Sequence, residues 1–539
     1  MKEKWWKNSV VYQIYPRSFC DSNGDGIGDI DGIRSKLWYL KKLGIDIIWL
    51  SPVYPSPNAD NGYDISDYYG ISSEFGTIES MKALIQECEN CGIKIMMDLV
   101  LNHTSDEHPW FIEAKSDASN PYRDYYIWRK EKPNDMKSCF GGSAWEYCEE
   151  AGEYYFHNFH KKQPDLNWEN EHVRAEAWKI INYWIDMGIK GFRLDVIEML
   201  GKIPDQEIKE NGPKLHEYLQ EMNQKTFGGK DIITVGECWG ADTEIAKLYT
   251  APERKELDMI FQFEQMQADQ TAEKWDLKPL DFIYLKQNFA KWQKELDGKG
   301  WNSLFWSNHD LPRIVSRWGN EKEYRIESAK MLATVLHSMK GTPYIYQGEE
   351  IGMTNYPFSS IKDFDDIEAI NMYQERTQNG YPQKEIMKSL CAKARDNART
   401  PMQWNQNHAA GFTEGNPWYH VNPNYPEINA EMALEDNNSI FYYYQKLIQL
   451  RKEEEILVYG TFTLLLPEDK HIFAYSREWN EKKWLIVCNF YQESTTFSYS
   501  GKGKVILSNY PQEQMIALEQ VQLRPYEAMI CEVIEAKEE

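Results

Sequence analysis

The sequence predicts an α/β protein built on a closed (β/α)8 TIM barrel, with a domain inserted after strand 3 and an antiparallel β domain at the C-terminus. Short apolar runs typical of buried strands alternate with amphipathic helical stretches over most of the 539 residues. Several of these runs end in an acidic residue, as barrel strands do when they deliver side chains to an active site. A long polar interval and a late change to short alternating strands interrupt this pattern and predict the two additional domains.

Eight apolar runs are predicted to be the parallel strands of the barrel. They comprise residues 11–15, 45–50, 94–99, 191–195, 232–236, 259–263, 302–305 and 342–346. Amphipathic stretches such as residues 81–91 and 175–187 lie between them and predict the outer helices. The barrel is therefore assigned to residues 1–103 and 172–458.

Two segments depart from the alternation of strands and helices. Residues 104–171 are polar, aromatic and irregular, and they are too many for an ordinary strand–helix loop, which predicts an inserted domain. Residues 459–539 contain short alternating runs such as 484–490 and 528–533, which predict a C-terminal β-sandwich domain.

Composition limits the ligands and the compartment that we expect. The net charge of −24 repels nucleic acid and anionic membrane surfaces and disfavours phosphorylated substrates, although a local basic pocket is compatible with it. A neutral sugar suits such a protein, and some of its 34 Tyr and 20 Trp could stack on sugar rings. The absence of an 18-residue apolar run predicts no membrane span. Nine scattered cysteines and an N-terminus unlike a signal peptide predict a cytoplasmic protein.

Three strand ends carry the carboxylates predicted to perform the chemistry. The segment GFRLD ends in Asp195, TVGE ends in Glu237 and SNHD ends in Asp310. Strand alternation puts Arg193 on the same face as Asp195, and a guanidinium favours the ionised carboxylate that a nucleophile needs; a structural ion pair is the alternative. Beside two other carboxylates in a water-poor cleft, Glu237 would stay protonated and act as a general acid. Asp310 would bind hydroxyls and support positive charge on a sugar ring.

A fourth segment, DLVLNH at residues 98–103, ends another strand and places His103 where it could donate a hydrogen bond to a sugar hydroxyl. In this order the four motifs resemble the signature regions of glycoside hydrolase family 13, the α-amylase family, and the resemblance extends over essentially the whole chain. It implies that Asp195 is the nucleophile, Glu237 the acid/base and Asp310 the stabiliser of the transition state. The glucose unit at the blind end of the pocket would be held by Asp60, Tyr63 (stacked on the ring), His103, Arg193 and His309. Arg395 matches a further substrate-binding arginine of the exo-acting family members.

Further motifs resemble the family members that cleave α-1,6 bonds, the oligo-1,6-glucosidases and dextran glucosidases. One is QPDLN, which begins at Gln163, and another is Val196 directly after the nucleophile, where Ala or Thr accompanies α-1,4 specificity. Val is also a common strand residue, so this signal has meaning only together with the other motif. The partners implied are α-1,6-linked glucose oligosaccharides, and we expect a monomer.

The loop after the fourth strand resembles that of the glucan 1,6-α-glucosidases more than that of the oligo-1,6-glucosidases, which carry a longer loop there. Only 42 positions separate Asp195 from Glu237, so this loop is short and would leave the pocket open to longer chains. The segment GECWG places Trp239 beside the acid, where it would line the subsite of the leaving group. Lys274 and Glu368 are weaker candidates for that subsite, since surface roles suit them equally.

The segment DSNGDGIGD after the first strand predicts a calcium site. Asp21, Asn23, Asp25 and Asp29 provide oxygen ligands at alternate positions, and the glycines permit a tight turn, which suits Ca²⁺. The family resemblance implies a structural calcium ion to which Ile27 contributes its backbone carbonyl. A polar turn without metal is the alternative, and no organic cofactor is expected.

Other functions share parts of this pattern. An isomaltase acting on short substrates has the same motifs. A trehalose-6-phosphate hydrolase has the same triad but commonly has Ala where Pro164 stands, and it needs a phosphate pocket that the sequence does not reveal. A non-catalytic subunit, like the amylase-like ectodomains of amino-acid transporter heavy chains, needs a membrane anchor and does not need the three carboxylates. Transglycosylation shares the intermediate of hydrolysis and stays open.

Overall fold

The centre of the computed structural model, which describes residues 4–534, is an eight-stranded parallel sheet curled into a barrel. The first eleven strands are β1 (Val11–Ile14), β2 (Ile47–Leu50), β3 (Lys94–Leu99), β4 (Trp128–Arg129), β5 (Trp145–Cys148), β6 (Glu153–Phe156), β7 (Gly191–Leu194), β8 (Ile233–Cys238), β9 (Met259–Gln262), β10 (Ser303–Leu304) and β11 (Thr342–Tyr346). The order around the barrel is β10-β11-β1-β2-β3-β7-β8-β9. A parallel bridge between Ile260 and Asn302 joins the two ends of the sheet. The predicted barrel is confirmed, and each predicted run overlaps one of its strands.

Helices surround the barrel and fill the loops at its ends. They are α1 (Ile30–Ser35), α2 (Leu37–Leu43), α3 (Ile78–Cys91), α4 (Pro109–Ser116), α5 (Glu171–Met187), α6 (Leu215–Lys225), α7 (Thr243–Thr250), α8 (Phe282–Glu295), α9 (Ile314–Arg317), α10 (Arg325–His337), α11 (Ile367–Gln378), α12 (Gln383–Lys393), α13 (Asp396–Arg399), α14 (Ala430–Glu435), α15 (Ile440–Glu453) and α16 (Glu455–Tyr459). Within residues 4–534, none of these helices combines the length and apolar character needed to cross a membrane.

Burial on both faces explains why the barrel strands read as continuous apolar runs. Every residue of β1, β2 and β7 is buried, because one face of each strand fills the barrel and the other packs against helices. Polar residues interrupt these runs where a strand approaches the carboxyl end of the barrel, as Arg193 does in β7. The side chains that carry chemistry therefore collect at one rim.

Residues 104–171 contain α4 and a three-stranded antiparallel sheet in the order β4-β6-β5. This segment has a small apolar core of its own, which includes Trp145 and Phe156. An antiparallel bridge from Asp165 to His103 attaches the end of this segment to the residues that follow β3. A second bridge, from Leu166 to Tyr126, lies within the segment itself. The segment therefore covers the rim of the barrel beside β3.

The C-terminal strands form an antiparallel domain, as the sequence predicts. They are β12 (Thr461–Leu465), β13 (Ile472–Trp479), β14 (Lys482–Asn489), β15 (Thr495–Phe497), β16 (Lys502–Ser508), β17 (Met515–Ala517), β18 (Val521–Leu523) and β19 (Ala528–Ile534). Six of them form one sheet, in the order β12-β13-β14-β19-β16-β17, and β15 pairs with β18 in a second. Tyr475 donates a hydrogen bond to the backbone of Val335 in α10 at 2.7 Å, which ties this domain to the barrel.

His337 at the end of α10 makes stability depend on pH. Its side chain is buried, and neither ring nitrogen has a hydrogen-bond partner among the described residues. Burial, aided by the nearby Arg451, lowers the pKa of His337 to about 3. Because the unfolded chain takes up this proton near pH 6.5, the stability that neutral His337 contributes is present above pH 6.5 and is lost as the pH falls towards 3.

We expect His337→Phe to flatten the acid side of the stability profile. At pH 5 the variant should avoid a penalty of about 2 kcal/mol that the wild type incurs, whereas near pH 7.5 this penalty is absent from both proteins. Thermal melts between pH 5 and 8 measure the difference, with the exposed His172→Phe as the control. Parallel profiles for wild type and His337→Phe would show that His337 titrates normally.

Candidate active site

A cavity of about 310 Å³ opens at the carboxyl ends of the barrel strands. Of the twelve residues predicted to be catalytic or substrate-binding, nine line it: Asp60, Tyr63, His103, Asp195, Val196, Glu237, Trp239, Asp310 and Arg395. The other three, Gln163, Arg193 and His309, are buried behind the wall and are no more than 1% exposed. These three residues are therefore placed to orient the lining side chains.

Arg193 on β7 connects three carboxyl groups. Its Nη1 lies 2.7 Å from Oδ1 of Asp98 and 2.7 Å from Oδ1 of Asp195, and its Nη2 lies 2.7 Å from Oε2 of Glu237. Adjacent parallel strands produce this arrangement, because β3 pairs with β7 and β7 pairs with β8 in register. One guanidinium thus sets the separation of the predicted nucleophile and the predicted acid.

The electrostatics of this cluster set burial against the attraction of Arg193. Burial raises the pKa of Asp195 well above its usual range, and the neighbouring Glu237 and Asp98 add to this effect against the opposing influence of Arg193. Burial also raises the pKa of Asp98 to about 6. A single positive charge thus lies among three carboxyl groups, and their mutual repulsion opposes the loss of protons from Asp98 and Asp195.

The carboxyl group of Glu237 is held on both of its oxygens. Oε2 accepts a hydrogen bond from the backbone N–H of Val196 at 3.0 Å in addition to its contact with Arg193. Oε1 accepts one from the indole N–H of Trp239 at 3.0 Å. Trp239 is itself fixed by stacking on Phe263, with ring centroids 3.7 Å apart. Oε1, on the Trp239 side, is therefore the oxygen that neither Arg193 nor the N–H of Val196 contacts.

Val196 adopts a backbone conformation that is rare for its residue type. Its φ of +36° and ψ of +45° lie in the left-handed region, which a β-branched side chain disfavours. This conformation aims its N–H at Glu237 while its side chain lines the cavity. Strain of about 1–3 kcal/mol at such a position persists where the surrounding structure enforces it, and this is often at functional sites.

Asp310 lies in a cationic setting at the opposite wall. Its Oδ1 is 3.3 Å from Nη1 of Arg395 and 3.1 Å from Nη2 of Arg399. Although burial opposes ionisation, His309, Arg395 and Arg399 hold the pKa of Asp310 well below its usual range. Asp310 is therefore ionised throughout the physiological pH range.

Asp366 and Arg399 are site residues that the sequence analysis missed. Asp366 is 1% exposed, and its Oδ2 lies 2.7 Å from Nη2 of Arg395 and 2.6 Å from Nη1 of Arg399. Arg399 is four residues from the predicted Arg395, so its position was a usable signal. Asp366 stands in an irregular segment whose sequence shows no motif, and only the tertiary structure brings it to the site.

Asp60 and His103 line the end of the cavity nearest Arg395 and the inserted domain. Burial raises the pKa of Asp60 to about 7, and Arg395 at 3.4 Å opposes this shift. The amide nitrogen of Gln163 lies 3.1 Å from Oδ2 of Asp60 and 3.1 Å from Nε2 of His103. Gln163, predicted to contact the substrate, therefore joins two residues that line the cavity.

The two histidines of the site are neutral and already hydrogen-bonded. Burial lowers the pKa of His103 to about 4 and that of His309 to about 3. Nε2 of His103 lies 3.1 Å from the carbonyl oxygen of Tyr63, and donation from His103 to a sugar hydroxyl stays a prediction. His309 stacks on Tyr63 with ring centroids 5.3 Å apart, and this contact fixes the ring predicted to pack on the substrate.

Seven further residues line the cavity. They are Cys139, Phe140, Phe159, Met199, Glu210, Lys274 and Glu368. Lys274 and Glu368, the weaker candidates from the sequence, form an ion pair with a separation of 2.5 Å. The wall of the cavity thus combines aromatic side chains with charged ones.

The loop at residues 21–29 has the oxygen donors that Ca²⁺ prefers, and hydrogen bonds organise them. Oδ1 of Asp21 accepts from the N–H groups of Asn23 and Gly24, and its Oδ2 accepts from Gly26 and from the Thr413 hydroxyl. Although burial opposes it, these bonds lower the pKa of Asp21.

The side chain of Asn23 accepts from the N–H of Asp25, and that of Asp25 accepts from the N–H of Ile27. Asp29 accepts from Ser22 and Gly32. No group of three or more His, Cys, Asp or Glu side chains within residues 4–534 is arranged to hold a metal ion. The donor types suit Ca²⁺, while the carboxylates would have to turn from the backbone towards a common centre, so calcium binding stays a prediction.

Chelation tests the calcium prediction. If the folded protein alone binds the ion, removal should lower stability by about 2.7 kcal/mol when free calcium is about 100-fold above its dissociation constant. No residue of the loop lines the catalytic cavity, so activity at moderate temperature should persist. Thermal melts and assays with and without EDTA, on protein shown to contain calcium, provide the comparison. An unchanged melt after verified removal would make the loop a polar turn, and immediate inactivation of folded protein would place the ion near the chemistry.

The chain matches known proteins over nearly its whole length. Residues 13–460 match the model of the α-amylase catalytic domain, and residues 462–530 match that of the maltogenic amylase C-terminal domain. The oligo-1,6-glucosidase of Parageobacillus thermoglucosidasius is 54% identical over 99% of this chain and 100% of its own. The glucan 1,6-α-glucosidase of Streptococcus pneumoniae is 56% identical over 99% and 100%. The crystal structure of trehalose-6-phosphate hydrolase from Bacillus licheniformis has 47% identity and a TM-score of 0.94 over 99% of this chain and 100% of its own.

Proposed function

The chain belongs to the α-amylase family, glycoside hydrolase family 13, and on this premise we propose that it is a retaining exo-α-glucosidase that cleaves α-1,6 bonds of isomaltooligosaccharides and dextran. It would release glucose from the non-reducing end. The observation that carries the proposal is the contact of one guanidinium, Arg193, with both Asp195 and Glu237 at 2.7 Å. This arrangement suits the separation of about 5–5.5 Å between the two carboxyl groups of a retaining glycosidase.

The site residues divide the reaction into two steps. Asp195 attacks the anomeric carbon and forms a covalent glycosyl-enzyme, while Glu237 donates the proton of its Oε1 to the oxygen of the leaving sugar. Glu237 then removes a proton from water, which attacks the anomeric carbon from the other face and releases α-glucose. Ionised Asp310, fixed by Arg395 and Arg399, stabilises the positive charge that develops on the ring.

The charge of the cavity favours a neutral sugar over trehalose 6-phosphate, the substrate named for relatives with 47–48% identity. Six carboxyl groups line the cavity: Asp60, Asp195, Glu210, Glu237, Asp310 and Glu368. The two cationic side chains in the lining, Lys274 and Arg395, are each paired with a carboxylate. A phosphate dianion would therefore meet net negative charge in a partly desolvated space.

Val196→Ala tests the α-1,6 preference. The wild type should hydrolyse isomaltose and dextran with glucose as the first product and should act weakly on maltose. Removing the branched side chain beside the nucleophile widens the leaving-group side, so the ratio of maltose to isomaltose activity should rise about tenfold, the effect of roughly 1.4 kcal/mol. Chromatography of the products gives the ratio of maltose to isomaltose activity for the wild type and for Val196→Ala. A wild type that prefers maltose or trehalose 6-phosphate would contradict the function, and an unchanged ratio in the variant would contradict the role of Val196.

A further inference from the structure

The leaving-group side of the cavity contains a carboxylate that the proposed mechanism does not use. Glu210 lies in the loop between β7 and α6 and lines the same cavity as Glu237 and Trp239. Its side chain is exposed, and it makes no hydrogen bond or ion pair with any described residue, although Lys209 is close enough to attract it. An unpaired carboxylate at the wall of a substrate cavity is available to a ligand.

The position of Glu210 is determined by its contact with Gly240. A side-chain carbon at position 240 would collide with Oε1 of Glu210, so the carboxylate packs directly over this residue. Buried Glu198 accepts hydrogen bonds from the N–H groups of Trp239 and Gly240 at 2.7 and 3.1 Å, which fixes the backbone beneath Glu210. Since Trp239 also donates to Glu237, Glu210 stands on the side from which the acid delivers its proton.

The charges near Glu210 distinguish between leaving groups. Glu368 is paired with Lys274 at 2.5 Å, so this lysine is already engaged by a carboxylate, while Glu210 has no such partner. A sugar hydroxyl can donate a strong, charge-assisted hydrogen bond to a free carboxylate. A phosphate group has no proton to donate when it is fully ionised, and its negative charge is repelled.

We propose that Glu210 determines specificity for the leaving sugar: its carboxylate accepts a hydrogen bond from a hydroxyl of that sugar and repels a leaving group that carries phosphate. The inference rests on the proposed function, because it requires a sugar on the leaving-group side. The leaving groups that this site favours are neutral and carry hydroxyls, and those that it disfavours are phosphorylated.

Glu210→Ala tests the hydrogen bond. The variant should lower kcat/KM on isomaltose about tenfold, mainly through KM, because a hydrogen bond to a charged acceptor is lost. Hydrolysis of p-nitrophenyl α-glucoside, whose leaving group has no sugar hydroxyl, should change by less than about twofold. Glu207→Gln is the matched control, since Glu207 is exposed in the same loop and does not line the cavity.

Glu210→Gln tests the repulsion, since it retains an acceptor and removes the charge. It should retain more isomaltose activity than Glu210→Ala and raise the ratio of trehalose 6-phosphate to trehalose hydrolysis at low salt. Two results would overturn the inference. One is an equal loss of kcat/KM on isomaltose and on p-nitrophenyl α-glucoside in Glu210→Ala. The other is an unchanged ratio of trehalose 6-phosphate to trehalose hydrolysis in Glu210→Gln. A wild type that is inactive on isomaltose would instead overturn the proposed function. The ratio of trehalose 6-phosphate to trehalose hydrolysis would still show whether Glu210 repels phosphate.

Discussion

Replacing Asp195 by glycine is expected to lower kcat on isomaltose by roughly 10⁴-fold or more, because the proposed mechanism depends on Asp195 as its nucleophile. Glu237→Ala should lower it by about 10²–10⁴-fold through the loss of proton donation. Kinetics with isomaltose and with α-glucosyl fluoride, a substrate with a good leaving group, separate the two roles. With α-glucosyl fluoride, the rate of glycosyl-enzyme formation should be restored in Glu237→Ala but not in Asp195→Gly.

Azide then identifies each residue by the stereochemistry of the product. In Asp195→Gly, azide can enter the space of the missing carboxylate and should yield the β-glucosyl azide from α-glucosyl fluoride. In Glu237→Ala, azide should attack the glycosyl-enzyme from the other face and yield the α-glucosyl azide. For the wild type, NMR of the first-formed glucose should show the α anomer. A β anomer as first product, or the two azide products exchanged between the variants, would rule out the assignment.

Replacing Asp366 by alanine is expected to lower kcat/KM on isomaltose by about 10²–10³-fold, or roughly 3–4 kcal/mol, and removing one member of a buried ion pair should separately lower folding stability by about 3–5 kcal/mol. Arg395 and Arg399 both lie within 2.7 Å of its carboxylate, and they would be left to share Asp310 and Asp60. The end of the cavity that is proposed to bind glucose would therefore lose its geometry. Melting temperature should fall as well, because two buried cations lose a counter-charge.

The exposed neighbour Asp365→Asn is the control for this prediction. It changes the same chain segment and leaves the two arginines with their partner. Steady-state kinetics and thermal melts of both variants, with circular dichroism to confirm folding, separate a local effect from unfolding. Activity near that of the wild type in folded Asp366→Ala would show that Asp310 and Asp60 hold the arginines without it.

The fold and the three proposed catalytic carboxylates could be predicted from local sequence. Each barrel strand is a short apolar run, and burial on both faces requires that pattern wherever the strand lies in the barrel. Asp195, Glu237 and Asp310 all line one cavity because parallel strands direct their carboxyl ends to the same rim. Strand bounds were less accurate: the run at residues 302–305 contains only the two-residue strand β10.

The contacts of the buried residues next to the cavity lining could not be predicted from local sequence. Gln163, Arg193 and His309 are predicted from motifs to bind the substrate, and the structure adds that they are buried beside the lining residues; their contact with substrate stays a prediction. Nε2 of His103, in the segment after β3, lies 3.1 Å from the carbonyl oxygen of Tyr63 in a loop 40 residues away in the chain. Nothing in the local sequence around these residues specifies which partner lies across the site.

The sequence by itself determined the barrel, the family and the carboxylates at the strand ends, because periodicity and strand-end motifs are local and each strand carries its own. Only the tertiary structure decided that one guanidinium serves Asp98, Asp195 and Glu237, that Asp366 joins two arginines, and that Val196 takes a left-handed conformation to reach Glu237. Charge balance and backbone strain depend on distances between residues far apart in the chain. Those distances exist only when the strands are in register, so the protonation of the site is a property of the folded barrel.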